Sequence, residues 1–404
     1  MDSSFINIAI VVVYLLAMLA FGWWGKSRTK NNSDFLVAGR RLGPMLYTGT
    51  MAAVVPGGAS TVGGVGLGYK FGISGMWLVV AIGSGVLLLP FVLNAAGGLD
   101  GIRARVDASF FQLDGIGVQT IITYFVVYTL GLLIGQDIWQ RVFTAKTPKV
   151  ARWGGATAGI YCVLYGVAGA LIGLAARVAL PNIDVKALGK DVVYAEVATH
   201  ILPIGIGGLV MAAAVAAMMS TASGALIAAA TVARADVVPF VASWFGKTIN
   251  TDDTENPEHD VKANRYWVLG LGIVAVLISM GAQDVVVALT IAYDILVGGL
   301  LVAILGGLVW KRGTGIAAAW SMAVGSVLTL ALLIAYATGI IPSEDGVYAN
   351  DPIYWGLGAS LLVYVVVSLL TPPTEPEVRE AWDRRVAGAV TEELPLEVHA
   401  VASH

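Results

Sequence analysis

The stretch MAAAVAAMMSTASGALIAAATVARAD, from Met211 to Asp236, decides how the rest of the chain is read. It is an apolar run of small residues with two adjacent hydroxyls, Ser220 and Thr221, at its centre. Small side chains let helix backbones approach closely in lipid, and hydroxyls placed there offer oxygen to a cation without burying a full charge. That combination points to transport through a membrane.

Composition agrees. With 57% hydrophobic and 13% charged residues among 404, the chain has too little polar surface to cover a soluble globule. About 20 apolar residues are needed to cross roughly 30 Å of hydrocarbon. Runs near 5–24, 45–69, 72–97, 118–142, 153–179, 204–233, 266–281, 283–310, 314–340 and 352–371 predict an all-α integral membrane protein with about ten transmembrane helices. The first run ends in Trp23 and Trp24 before Lys26, with no A-x-A cleavage pattern, and reads as a retained anchor helix. The single cysteine, Cys162, excludes an internal disulfide and a Cys-based metal cluster. A net charge of −3 without a basic stripe argues against a nucleic-acid partner. Four dispersed histidines, no Ser-His-Asp arrangement and no GK[ST] loop argue against an enzyme and against any bound cofactor.

Lys and Arg concentrate in cytoplasmic loops, and their placement gives an orientation. Lys26, Arg28, Lys30, Arg40 and Arg41 put the first loop inside and the N-terminus outside. Arg141–Arg152, Arg234–Arg265, Lys311 with Arg312, and the tail with Arg379, Arg384 and Arg385 are also basic, whereas Pro342–Asp351 carries only acids. If helices two, three and four all cross, the Arg141–Arg152 loop falls outside, against the charge rule. One crossing is therefore wrong or missing, and the suspect is 72–97, which is either two short halves that enter and return or a seam near 80–100 where helices are absent. Residues 1–371 form the transmembrane domain. The TPPTEPE prolines then stop the last helix and begin a cytoplasmic tail, 372–404. The acidic TDDTENPEHD segment lacks the glycine and final glutamate of a calcium loop and reads as a solvated linker.

In the second run, Pro56, Gly57 and Gly58 fall at mid-membrane depth. Proline removes a backbone donor and the glycines relax the turn, so carbonyls near Ala53 to Pro56 are candidates to leave helical bonding. In lipid, freed carbonyls must line a cavity or meet a ligand. A plain proline kink packed through small residues is the other reading. Ala217, Ser220 and Thr221 share a helix face at i, i+3 and i+4, and hard cations prefer such neutral oxygens. Hydroxyls bonded back to their own helix are the alternative there. Asp294, alone inside the eighth run, is a candidate for a substrate amine, a second cation or a coupling proton, or simply a protonated interior acid. Asp137 and Arg141 are expected to pair with each other.

These segments resemble the sodium:solute symporter family, whose members share the inverted-repeat fold of the bacterial leucine transporter. The matching pieces run in order: SDFLVAGRRLGP (Ser33–Pro44), GGASTVGGVGLGYKFGISGMW (Gly57–Trp77), GQDIWQRVFTAK (Gly135–Lys146), the hydroxyl helix from Gly208 to Asp236, and WKRGT (Trp310–Thr314). The resemblance implies a sodium site from Ala53 and Pro56 at the break and from Ala217, Ser220 and Thr221 on the partner helix. It implies a solute site beside it, at Ser60, Thr61, Tyr128 and Gln136, with Asp294 as a further candidate. It also implies an incomplete inverted-repeat bundle, because about three helices of the first repeat are absent at the seam.

The expectation is a multi-pass protein of the plasma (inner) membrane, C-terminus cytoplasmic, importing a small organic solute with sodium as coupling ion. Sodium, that solute and the lipid bilayer are its partners. Two alternatives stand beside it: proton-coupled transport through Asp294, and a truncated, non-transporting paralogue acting as a sensor or binding protein.

Overall fold

A computed structural model describes residues 3–26, 38, 41–54, 57, 59–76, 89–248, 257–280, 284–343 and 349–386. The helices are α1 (Ser3–Lys26), α2 (Pro44–Val54), α3 (Gly64–Phe71), α4 (Leu89–Ala95), α5 (Gly98–Arg105) and α6 (Val118–Ile134). Then come α7 (Gln136–Val142), α8 (Pro148–Ala179), α9 (Val192–His200) and α10 (Ile206–Val232). The last are α11 (Pro257–Ser279), α12 (Val285–Val309), α13 (Gly315–Ala337), α14 (Asp351–Leu370) and α15 (Pro376–Val386). The described residues contain no strand beyond one isolated bridge, Leu42 to Ala145.

Seven helical stretches among the described residues are long and apolar enough to span a bilayer, and α6 with α7 makes an eighth if counted as one bent span. Each matches one of the expected runs. The remaining expectations meet physical interruptions. The 45–69 run is two helices, because α2 ends at Val54 and helix resumes only in the π-helical turn Ala59–Gly63 that leads into α3. The 118–142 run, expected as one straight span, bends by 54° at Gly135, whose extended backbone (φ −66°, ψ 117°) cannot continue a helix. Residues 77–88 of the 72–97 run, and with them the first part of the expected seam, lie outside the described residues. Exposed Val12, Leu16 and Leu19 on α1 and Leu269, Ile273 and Leu277 on α11 present apolar surface that a hydrocarbon layer, not water, accommodates.

The chain divides into two compact units, residues 1–294 with 335–350 and residues 295–334 with 351–404. In the first, α3 lies backbone to backbone against α8. A β-carbon on Gly68 would stand 2.5 Å from the Ala170 carbonyl oxygen, and one on Gly173 would collide with the Val65 carbonyl and the Tyr69 amide. Only glycine permits this approach, and around it Val65, Ile172, Leu174, Val193 and Val197 form the buried core. In the second unit the same device recurs. Ser321 Oγ lies 2.8 Å from Ser360 Oγ across α13 and α14, and Thr329 fills the space left by Gly298 and Gly356.

The start of α12 is fastened by acids. Asp284 accepts from the Val286 and Val287 amides at 2.9 and 3.1 Å, an N-terminal cap, and its other oxygen pairs with Lys190. Asp191 accepts from the Val285 amide at 3.1 Å; burial pushes its carboxyl up, and that bond and the Lys190 charge pull it back. Lys190 is 7% exposed and Asp284 28%, so the pair is screened less than a surface one. Lys190→Met should destabilise the fold by about 2 kcal/mol, between the surface and buried limits for an ion pair. The thermal midpoint of the purified protein measures this, and adding Asp284→Leu should not restore it, because the cap is then lost too.

Candidate functional site

The interrupted helix and the hydroxyl helix meet. A β-carbon on Gly57 would stand 3.0 Å from Thr221 Oγ1 and 3.4 Å from Thr221 Cβ, so the backbone at the break lies directly on that side chain. Gly57 keeps its own carbonyl occupied, accepting from the Thr61 amide at 2.9 Å and from Ser60 Oγ at 3.0 Å. These bonds restart the helix after the break. Pro56 lies outside the described residues, and Ala53 sits exposed in the last turn of α2. On α10, Thr221 Oγ1 donates to the Ala217 carbonyl at 3.3 Å, and Ser220 is half-buried beside it.

A cavity of about 330 Å³ opens at this junction, lined among others by Gly57, Ser60, Tyr128, Asp137, Thr221 and Tyr293. Its walls come from the turn after the break, α6, α7, α10 and the first half of α12. Tyr128 is buried, its hydroxyl 2.9 Å from Thr290 Oγ1, and its ring meets Tyr293 edge-on with centroids 5.4 Å apart. The Tyr124 ring lies tilted against it at 52°, with centroids 5.5 Å apart. A second cavity of about 160 Å³ touches Asp137, Gln140, Arg141, Ser223 and Gly224.

Of the expected solute contacts, Ser60 and Tyr128 line the larger cavity. Thr61 instead lies 3.0 Å from the Tyr165 hydroxyl on α8, and Gln136 is exposed. Asp294 is 2% exposed, does not line the cavity, and has an Oδ1 without a hydrogen-bond partner among the described residues. The expected Asp137–Arg141 pair is not formed. Arg141 Nη2 donates to the Ser220 carbonyl at 2.6 Å, passing over Gly224, where a β-carbon would stand 2.6 Å from it. Asp137 turns the other way, its Oδ1 3.0 Å from where a Gly135 β-carbon would be. The bend at Gly135 explains both corrections, since it resets the helical phase so that Asp137 rather than Gln136 faces the cavity.

Sequence reading takes Gly57 only as relaxing the break and Asp137 only as a partner for Arg141, and does not name Tyr293, so none of the three is assigned to the cavity. The Pro-Gly-Gly run held a signal for the first, because a glycine at a break implies close approach as well as flexibility. Thr290 and Tyr293 sit at i and i+3 on one helix face and could have been paired with Tyr128 only through the tertiary fold.

A model of the sodium:solute symporter family matches residues 108–325, more than half of the chain. The chain belongs to that family. Its long apolar helices among the described residues suit a multi-pass membrane protein. Sodium/proline symporters of Staphylococcus aureus, from strains JH9 and USA300 among others, are 26% identical over 156 residues, which is 35% of this chain. The match spans only 30% of the length of those relatives. In structure the chain is similar to a Na+-coupled sialic acid symporter captured in a substrate-bound, outward-open state, with a TM-score of 0.59 at 14% identity over 93% of this chain and 100% of that one. At that identity the likeness shows the shared symporter fold.

Proposed function

We propose that the chain is a sodium-coupled symporter that imports a small organic solute, with sodium at the junction of the interrupted helix and α10 and solute in the adjoining cavity. One observation carries this reading: the backbone of Gly57 rests on the hydroxyl of Thr221, where a cation would find carbonyl and hydroxyl oxygens together. Ala53 and Pro56 supply the break-side carbonyls, and Ala217, Ser220 and Thr221 the partner oxygens. The Thr221 proton is directed at the Ala217 carbonyl, which turns the oxygen lone pairs away from the helix axis. Ser60 and Tyr128 face the solute. Sodium and solute bound side by side favour the same conformation, so each raises the affinity of the other. The basic loops place the N-terminus outside and the C-terminus in the cytoplasm.

Liposomes holding the full chain test this, with labelled proline and sialic acid, the solutes named for its relatives, as probes. An inward sodium gradient should drive uptake several-fold above an equal potassium gradient for at least one probe or should be mirrored by sodium-selective thermal stabilisation. Absence of both sodium effects overturns the assignment. Asp294 supports a second reading, proton coupling, because it is a buried membrane carboxyl with an unpartnered oxygen. That reading expects uptake driven by a pH gradient alone and abolished in Asp294→Asn. It also covers a binding-only paralogue as an outcome: stabilisation by sodium with no uptake of either probe.

A further inference from the structure

The larger cavity carries information about charge that the family does not supply. Asp137 is the only charged side chain among the described residues lining it. No hydrogen bond or ion pair among the described residues engages its carboxylate. The guanidinium four residues on, which would be its natural partner, is committed to the Ser220 carbonyl and lines only the smaller cavity. The same wall holds two aromatic rings, Tyr128 and Tyr293; the Tyr128 hydroxyl is engaged by Thr290, and Tyr293 lies within electrostatic reach of Asp137. The remaining wall is aliphatic, from Leu132, Ile138, Val285 and Leu289.

We infer that the solute carries an ammonium group, received by Asp137 with the tyrosine rings against its apolar body. Three properties of the cavity lead there. A half-buried carboxylate whose electrostatic neighbour Arg141 is turned to the Ser220 carbonyl favours a cation on the cavity side. Aromatic faces attract organic cations through the ring quadrupole. An anionic solute would meet Asp137 as a like charge with no basic side chain in the cavity wall to answer it. The volume, about 330 Å³, suits a compact molecule with one charged end. Asp137 is then the specificity-determining residue, and the inference rests on the symporter reading only in placing the solute beside the sodium.

Three ligands of one shape and different charge test it: cyclohexylmethylammonium, cyclohexylmethanol and cyclohexanecarboxylate. Their binding to the purified full chain, in sodium and in potassium, is followed by thermal shift titration. The ammonium should bind at least about tenfold more tightly than the carboxylate, with the alcohol between. Asp137→Asn should bring the three within about threefold of one another, and Asp137→Glu should keep the order. A monodisperse peak and a cooperative thermal transition without ligand show Asp137→Asn to be folded. Equal or tighter binding of the carboxylate, no binding of the ammonium, or an unchanged preference in Asp137→Asn overturns the inference. Failure of the sodium site registers separately, as ammonium preference that is the same in sodium and potassium together with no sodium stabilisation of the wild type.

Discussion

Thr221→Ala is expected to raise the sodium concentration for half-maximal stabilisation, and for half-maximal uptake, by about tenfold to a hundredfold. Losing one oxygen from a small set of neutral ligands in a low-dielectric site costs on the order of 1–3 kcal/mol, and each 1.4 kcal/mol is a factor of ten. The side chain removed lies against the backbone of Gly57 at the break, so the loss falls at the junction itself. Thr221→Ser keeps the oxygen and should stay within about threefold of wild type. The measurement is a sodium titration of thermal stability at constant ionic strength, which needs no knowledge of the solute. Unchanged sodium dependence in Thr221→Ala would remove the hydroxyl from the ion site.

The second large effect is on folding. Gly173→Val should lower stability by about 3 kcal/mol or more, enough to remove most of the folded protein from membranes. The new side chain would enter the backbone of α3 at Val65, Gly68 and Tyr69, and Gly68 opposite is itself 2.5 Å, as an imagined β-carbon, from the Ala170 carbonyl oxygen. Neither helix has a flexible side chain there that could give way. Gly155 on the same helix provides the control, because nothing lies within 4 Å of a β-carbon placed on it. Gly155→Ala should be neutral or stabilising by up to about 1 kcal/mol, the gain in helix propensity. Yield of monodisperse protein after detergent extraction separates the two.

How much of this was legible beforehand depends on the physical range of each signal. The hydroxyl pair in α10 and the Pro-Gly-Gly break are local features, and their chemistry could be read from neighbours within a turn. That they touch at Gly57 and Thr221 is a tertiary fact; the family resemblance implied their association, and periodicity alone did not. Bilayer-spanning length was read well where runs are uniformly apolar, as in α8 or α14, and less well where one backbone conformation intervenes. Gly135 shows why: the polar residues Gln136, Asp137, Gln140 and Arg141 follow it, but hydropathy does not give the angle of the bend, and it is Asp137 rather than the expected Gln136 that lines the cavity. Asp137 and Arg141 have the i, i+4 spacing that usually makes an ion pair, and the pairing fails because Gly224 on another helix opens a different destination for the guanidinium.

The bend at Gly135 also makes the seven residues after it a lever. Asp137 near its fulcrum and Arg141 farther out ride on the same rigid segment, and the outer end is moored to the Ser220 carbonyl. Any displacement of that segment therefore moves two things at once: the carboxylate in the wall of the larger cavity and the guanidinium moored to α10.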